Sequence, residues 1–369
     1  MKRRTFLKRG LRTSGSALLA SLFGGGMGRI ALAAASEAWH MPDEAEAHAA
    51  TWMAFGPNVD IWGERLKNAA QDNLASIARA ISSYEAVHML VREEDYDTAA
   101  RKCGNTVKLM VQPLDDLWMR DTGPVFVKNT QGKLAAVNFN FNGWGEKQEY
   151  EQDAQVASFV SQRAGVSLLR SGLVLEGGGI EVDGEGTAII TESCVLNPNR
   201  NPGLSKAQCE AELKRLLGSE KIIWLPGIAG SDITDGHTDF YARFTSPGVV
   251  VAGYDADPTS EEHAVTKRHL DILRKARDAK GRLLKVVVLA GPSSVRSKFE
   301  NKDFAAGYIN FYVCNSAVIA AEFGDSKTDR NTRSILRELF PTREIIQLNV
   351  DAIAAGGGGI HCTTQQQPL

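Results

Sequence analysis

Five short runs of β-branched and aliphatic residues recur along the chain: Lys108–Leu114, Ser167–Ser171, Lys221–Pro226, Lys285–Gly291 and Glu344–Val350. Their starts lie 59, 54, 64 and 59 residues apart. Runs this short, bounded by turn-forming residues, predict buried strands. After each run and a loop comes a polar or glycine-rich strand, a tight turn and a more apolar strand. RDTGPVFVKNTQGKLAAVNFNF, LEGGGIEVDGEGTAIITESCVL, DGHTDFYARFTSPGVVVAGY and GYINFYVCNSAVIAAEFGD share this form. Asp183-Gly184 and Pro247-Gly248 supply hairpin turn signals. Helical periodicity then appears over Ser205–Leu217, with Ser205 as its cap, over Ala264–Ala279 and over Asn331–Phe340.

The repeating unit is therefore strand, strand, helix, strand. Thr51–Phe55, Leu66–Ile81 and Ala86–Val91 form part of a further unit, which the C-terminal GGGGIHCTTQQQ would complete by joining the strand at Thr51–Phe55. Five such units around an axis predict an α/β fold, a five-bladed pseudo-symmetric α/β propeller in one domain over residues 36–369. The loops leading into the hairpins should then meet at the centre. A generic α/β sheet with chance spacing is the alternative.

The first segment changes this picture only by being removed from it. Residues 1–35 carry Arg3-Arg4, an apolar stretch broken by Gly24, Gly25 and Gly26, and an Ala-x-Ala exit near Ala33–Ala35. This pattern resembles a twin-arginine export signal, which predicts the twin-arginine export machinery as a partner and a periplasmic location. The stretch is short and interrupted for a membrane anchor. The segment holds seven Lys or Arg and no acid, so its removal leaves 35 basic against 44 acidic residues, a net of −9. An acidic body argues against nucleic acid as a partner and suits a cationic substrate. The five cysteines are an odd number for an exported chain, so at least one thiol should stay unpaired.

The convergent loops carry Trp118-Met-Arg-Asp121, Leu175-Glu176 before three glycines, Asp235-Gly-His237-Thr-Asp239, Tyr308-Ile-Asn310 and Ile360-His361-Cys362. Three carboxylates facing one cavity repel one another unless a cation is present. A planar guanidinium offers forked donors to two carboxylates at once; a metal ion is the other solution. Asp121 and Asp239 are expected to clamp such a group, with Trp118 walling the pocket. Each also has a plainer reading: Asp121 as a turn residue paired with Arg120, Trp118 as core, Glu176 before a glycine turn. His237 and Asp239, two apart, should point to one face of a strand, and the neighbouring acids, Asp235 included, should favour the imidazolium. Cys362 follows the flexible Gly356–Gly359 and has polar neighbours, unlike a buried structural thiol. Cys103, Cys194, Cys209 and Cys314 read as structural.

These roles compose a mechanism. The thiolate of Cys362 attacks the guanidinium carbon, and His237, held by Glu176, protonates the departing ammonia and then activates water. The scheme needs no metal and no cofactor. Three other readings stay open: a metal-dependent hydrolase built on His237, Asp239, Glu176 and His361; a deiminase of peptidyl-arginine or of free or methylated arginine; and a periplasmic guanidine-binding protein without catalysis.

At these residues the chain resembles the agmatine deiminase family, which includes bacterial peptidylarginine deiminases. The matching stretches are WMRDTGP (Trp118–Pro124), LEGGGIEVDGEGT (Leu175–Thr187), NPNRNPGL (Asn197–Leu204), IWLP (Ile223–Pro226), TDGHTD (Thr234–Asp239), YINFY (Tyr308–Tyr312) and GGIHCTTQQQP (Gly358–Pro368). The resemblance implies a five-bladed propeller, a catalytic Cys362 and His237, and catalytic carboxylates at Asp121, Glu176 and Asp239. Asn310 is carried over as substrate-binding. It implies agmatine as the substrate, N-carbamoylputrescine and ammonia as products, and a homo-oligomer. Two departures stand out: the export signal, and a short segment after Trp144, GEKQEYEQDAQVA.

Overall fold

The crossover helices show how the sequence closes each unit. Two parallel strands cannot be joined by a tight turn, so a helix must carry the chain back across the sheet. Val156–Ala164, Lys206–Leu217, Glu261–Lys275, Ser326–Leu339 and Val59–Ile81 do this in the five units of the chain's computed structural model, which describes residues 37–369. The expected export segment, residues 1–35, lies outside the described residues.

Each unit is one small sheet, or blade. Blade I orders Trp39–His40, Val125–Asn129, Leu134–Asn138 and Ser167–Arg170; blade II orders Ile180–Val182, Thr187–Thr191 and Lys221–Leu225. Blade III holds Ala242–Ser246, Val249–Tyr254 and Lys285–Ala290, and blade IV holds Tyr312–Cys314, Ala317–Glu322 and Glu344–Asn349. In blade V, Gln365–Pro368 pairs antiparallel with His48–Phe55, followed by Ala86–Val91 and Val107–Val111 in parallel. The other blades each hold an antiparallel hairpin followed by one parallel strand, and blade I adds Trp39–His40 antiparallel at its edge. The expected five-bladed α/β propeller is the observed fold, and the C-terminal strand does close the unit begun by the first.

Several boundaries differ from the sequence reading. The first helix starts at Val59 rather than Leu66, because Asn58 caps it through Ile61 N and Gly63 (φ 64°) lets the chain kink into the longer stretch. The blade III helix runs Glu261–Lys275, not Ala264–Ala279: Ser260 caps its start with Glu261 and Glu262 in the first turn. The blade IV helix begins at Ser326, five residues before Asn331, under an Asp325 cap. In both, a polar first turn hides the start, since apolar periodicity begins only where burial does. Ser205 behaves as expected and forms a reciprocal capping box with Gln208.

Four of the five inner strands are entered through the same device. A single helical turn, at Met119–Thr122, Gly177–Gly179, Thr238–Phe240 or His361–Thr363, immediately precedes the inner strands of blades I, II, III and V. These turns pack on one another at the hub, and the Tyr308–Phe311 loop of blade IV joins them through hydrogen bonds of Asn310 to His361 and Cys362.

Replacement of Ser205 by Ala leaves the first-turn amides of the blade II helix without their acceptor. It should lower unfolding free energy by about 1 kcal/mol in urea titration, with no change in turnover; an unchanged midpoint would show that the cap carries no stability.

Candidate active site

Gly178 marks the centre. A β-carbon there would lie 2.6 Å from His237 Nδ1, 2.9 Å from Asp121 Oδ1 and 3.2 Å from Asp239 Oδ2, so three functional groups surround one point that only glycine leaves free. The Gly178 amide donates to Asp121 Oδ1 at 3.1 Å. Cys362 joins them, with Sγ 3.6 Å from Asp239 Oδ2. Asn310 brackets the cysteine: its amide nitrogen lies 3.3 Å from Sγ, and its Oδ1 accepts from the Cys362 backbone N–H at 3.3 Å. The hub thus brings together Asp121, Glu176, His237, Asp239, Asn310 and Cys362, all buried.

His237 and Asp239 converge by a different route from the one expected. They sit at the start of the Thr238–Phe240 helical turn rather than on a strand face. Asp235 turns away from the histidine: its carboxylate takes Lys147 Nζ at 2.7 Å and Arg200 Nη1 at 2.8 Å. Glu176 holds the ring, with Oε2 3.2 Å from His237 Nε2, which leaves Nδ1 towards Asp121 Oδ1 at 3.7 Å. Arg120 is no partner of Asp121; it reaches Glu44 and Gln366. The proposed metal set of His237, Asp239, Glu176 and His361 is not assembled. Among the described residues, the three ligand atoms lying within 4.8 Å of one another belong to Glu176, Cys194 and His237.

Trp118 forms part of the wall of an adjoining cleft. Its indole donates to Asp116 Oδ2 at 3.1 Å, and Trp62 donates to Asp116 Oδ1 at 2.7 Å. The glycine run that precedes Cys362 packs against these rings. A β-carbon at Gly356 would meet Trp62 at 2.2 Å, one at Gly358 would meet Trp118 at 2.2 Å, and one at Gly359 would meet Asn310 Oδ1 at 2.4 Å. Gly356, Gly358 and Gly359 thus let the backbone approach these side chains more closely than a β-carbon would permit. The cleft has a volume of about 1240 Å³ and extends from Cys362 and Asp121 past Ile233, Tyr254 and Phe304.

Four contributors were not singled out in the sequence. Trp144 donates to Asp121 Oδ2 at 3.0 Å from a strained turn, with its own φ at 55°. Arg200 donates through Nε to Glu176 Oε1 at 2.7 Å and fixes the carboxylate that holds the histidine. Cys194, expected to be structural, lies 3.4 Å from Glu176 Oε2. Glu44 accepts from Arg120, Arg243 and His361 at the base of the hub. Trp144 and the NPNRNPGL motif were visible as signals, but their direction was not. All five cysteines are free.

Burial sets the protonation states, and neighbours adjust them. Burial raises Asp121, and Asp239 and Glu176 add to this against the pull of His237, leaving it at about 6. Burial acts the same way on Glu176, but the His237 hydrogen bond and Arg200 outweigh it and hold Glu176 low. Asp239 is likewise held low by the His361 hydrogen bond. Burial alone would make His237 neutral, yet Asp121, Cys194 and Glu176 hold its pKa well above the usual imidazole value. Burial and then the charges of Asp239 and Asp121 push the Cys362 thiol well up, with Gly359 N and Asn310 pulling the other way.

Replacing Gly178 by Ala should therefore abolish turnover, by at least about 10²-fold, while the melting transition stays cooperative. An active alanine variant would show that the three groups do not share this point.

Comparison with known proteins agrees with the geometry. A Streptomyces coelicolor protein with a provisional agmatine deiminase name is 42% identical over 337 residues, 89% of this chain and 99% of its own. The agmatine deiminase of Stutzerimonas stutzeri is 37% identical over 356 residues, 90% of this chain and 96% of its own. The solved Enterococcus faecalis agmatine deiminase superposes with a TM-score of 0.83 at 33% identity, covering 90% of this chain and 96% of that one. Residues 40–368 match the profile of the Porphyromonas-type peptidyl-arginine deiminases, and the chain belongs to that family.

Proposed function

We propose that this chain hydrolyses the guanidinium of agmatine to N-carbamoylputrescine and ammonia, through a covalent intermediate on Cys362. The observation that carries the reading is the convergence of a thiol, two carboxylates and a carboxylate-held imidazolium around the point beside Gly178. Asp121 and Asp239 present acceptors to the two edges of a flat cation and hold its carbon near the sulfur. Asp239 Oδ1 is buried and has no partner, an acceptor kept for a donor from outside the protein.

The free enzyme keeps Cys362 as a thiol because the sulfur is buried and two carboxylates face it. A bound guanidinium replaces that repulsion by attraction, and the thiol loses its proton to solvent through the open cleft. The thiolate adds to the guanidinium carbon. His237 gives its Nδ1 proton to the departing amino group, so the C–N bond breaks with release of ammonia and leaves a cationic thiouronium. Its Nε2–H stays on Glu176. The neutral Nδ1 then takes a proton from water, which adds to the carbon. The C–S bond breaks and the hydroxyl proton passes to solvent in the cleft, since His237 is again the imidazolium, which yields the urea group and restores the thiolate.

The outer cleft supports agmatine over free arginine. Asp232, Asp255, Asp257, Glu262 and Asp303 line it, against Lys302 as the cation among the lining residues. That field suits a distal ammonium and opposes an α-carboxylate. Peptidyl-arginine is the second reading, because about 1240 Å³ exceeds the usual size of a small-molecule pocket. We further propose export of the folded protein by the twin-arginine route to the periplasm, carried by the Arg3-Arg4 segment.

Ammonia release from agmatine, arginine and an arginyl peptide separates these substrates. Agmatine should be turned over fastest and the Cys362→Ala variant should release none; equal release by that variant would refute the nucleophile. The pH dependence has a defined sign. Asp121 is charged above about 6 and neutral below it, so kcat/KM should fall as the pH drops through that value. Trp144→Phe removes a donor to the carboxylate and should move this acid limb upward. A limb that stays in place in that variant would assign it to another group.

A further inference from the structure

His361 stands between two carboxylates. Nδ1 lies 2.7 Å from Asp239 Oδ2, and Nε2 lies 2.8 Å from Glu44 Oε2. A neutral imidazole has one N–H, so at these distances one contact would set two lone pairs against each other. Two protons must occupy the two bonds.

Glu44 is placed for this from outside the hub. It lies between the strands Trp39–His40 and His48–Phe55. Its Oε1 accepts from Arg243 Nη2 at 2.8 Å and Val313 N at 2.9 Å, and its Oε2 from Arg120 Nη2 at 3.2 Å. Burial, with Arg120 and Arg243, outweighs the pull of Glu44 and Asp239 and holds the ring below the usual imidazole value, so it is the two short contacts to ionised acids, not the local field, that require a proton on both nitrogens. Glu181 and Asp43 stand behind Arg243, and Glu181 binds its Nε at 2.7 Å. Arg120 Nε also donates to the His361 carbonyl at 3.3 Å, which clamps the residue next to Cys362.

We propose that Glu44 and His361 form a positioning relay, in which a doubly donating imidazole locks the Asp239 carboxylate in the orientation that receives one edge of the guanidinium. The proposal rests on the guanidinium-hydrolase reading of Asp239. Neither relay residue touches the reacting atoms. Their effect passes through Asp239 Oδ2, which is also the carboxylate oxygen 3.6 Å from Cys362 Sγ. Loss of the Glu44 charge removes the acid at Nε2 and leaves Arg120 and Arg243 beside the ring, so the Nε2 proton is lost and the ring is free to tilt. A small tilt at Asp239 is enough to misplace the carbon under attack.

Two measurements test the relay. The first uses the wild-type protein labelled with ¹⁵N-histidine, with the His361 signals identified by their loss in His361→Asn. Both ring nitrogens of His361 should resonate as protonated at neutral pH; a non-protonated nitrogen would overturn the proposal. The second is a double-mutant cycle on agmatine turnover. Glu44→Gln and His361→Asn should each lower kcat/KM by about 10- to 100-fold, mostly through kcat, and the double variant should be no worse than either. Multiplying losses would assign Glu44 to scaffolding through the arginines and sink the relay, as would wild-type kinetics in either single variant. If the glutamine variant does not fold, the resonances of the intact protein still decide. Absence of ammonia from wild-type protein and agmatine would overturn the functional reading instead, and leaves the ring protonation to be judged on its own.

Discussion

Carboxylates packed into a dry interior repel one another, and the hub of this protein holds Asp121, Glu176 and Asp239 together with Glu44 beneath them. Two unit charges 4 Å apart still interact by about 4 kcal/mol at the effective dielectric of a protein site. The surrounding structure can be understood as a set of answers to that repulsion. Arg200 and the His237 imidazolium answer Glu176, Arg120 and Arg243 answer Glu44, and His361 links Glu44 to Asp239. Each answer is a fixed hydrogen bond of a fixed side chain. Asp121 receives the weakest set, an indole N–H, a backbone amide and the more distant Nδ1 of His237, and Asp239 keeps one oxygen unpartnered. Asp121, with no cation in hydrogen-bond range, and Asp239, with one oxygen free, are the two acids that face the thiol.

That division explains why the fold is needed. No single strand or helix could bring three acids, a histidine and a cysteine together around one point. A ring of five equivalent units can, because each delivers one short loop to the axis. The single helical turn before the inner strands of four blades sets the direction of each side chain, and the glycines at Gly178 and in Gly356–Gly359 let backbone come close where a β-carbon would collide with the site. Close packing of Gly356 on Trp62 and of Gly358 on Trp118 then sets the path of the backbone into Cys362.

Much of this was legible in the sequence, for reasons that can be named. The strand runs and hairpin turns repeat because each blade must bury the same kind of sheet, so their spacing reported the propeller directly. Asp121, Glu176, His237, Asp239, Asn310 and Cys362 stood out because polar residues at the mouths of apolar strands have little structural reason to be there. What stayed hidden were groups whose partners lie far away in the chain. Arg200 is 24 residues from Glu176, and Glu44 is 317 residues from His361; an isolated arginine or glutamate carries no mark of such a partner. Trp144 was hidden differently, since its position over Asp121 depends on a left-handed turn at a residue type that seldom adopts one. The helix starts were missed for a third reason, that polar capped turns precede the buried face which periodicity detects.

The same electrostatic arrangement bears on selectivity. A site whose resting thiol is held protonated by burial and by the charges of Asp239 and Asp121 is poorly reactive towards neutral electrophiles. A guanidinium supplies the missing positive charge and the reactive carbon in one group, so the nucleophile is generated where its target already sits. Binding and activation are then one event. The interaction strengthens as the sulfur gains charge, which is the condition under which binding energy raises turnover rather than affinity alone. A neutral urea lacks that charge, so the product forfeits the attraction that held the substrate and can leave the site.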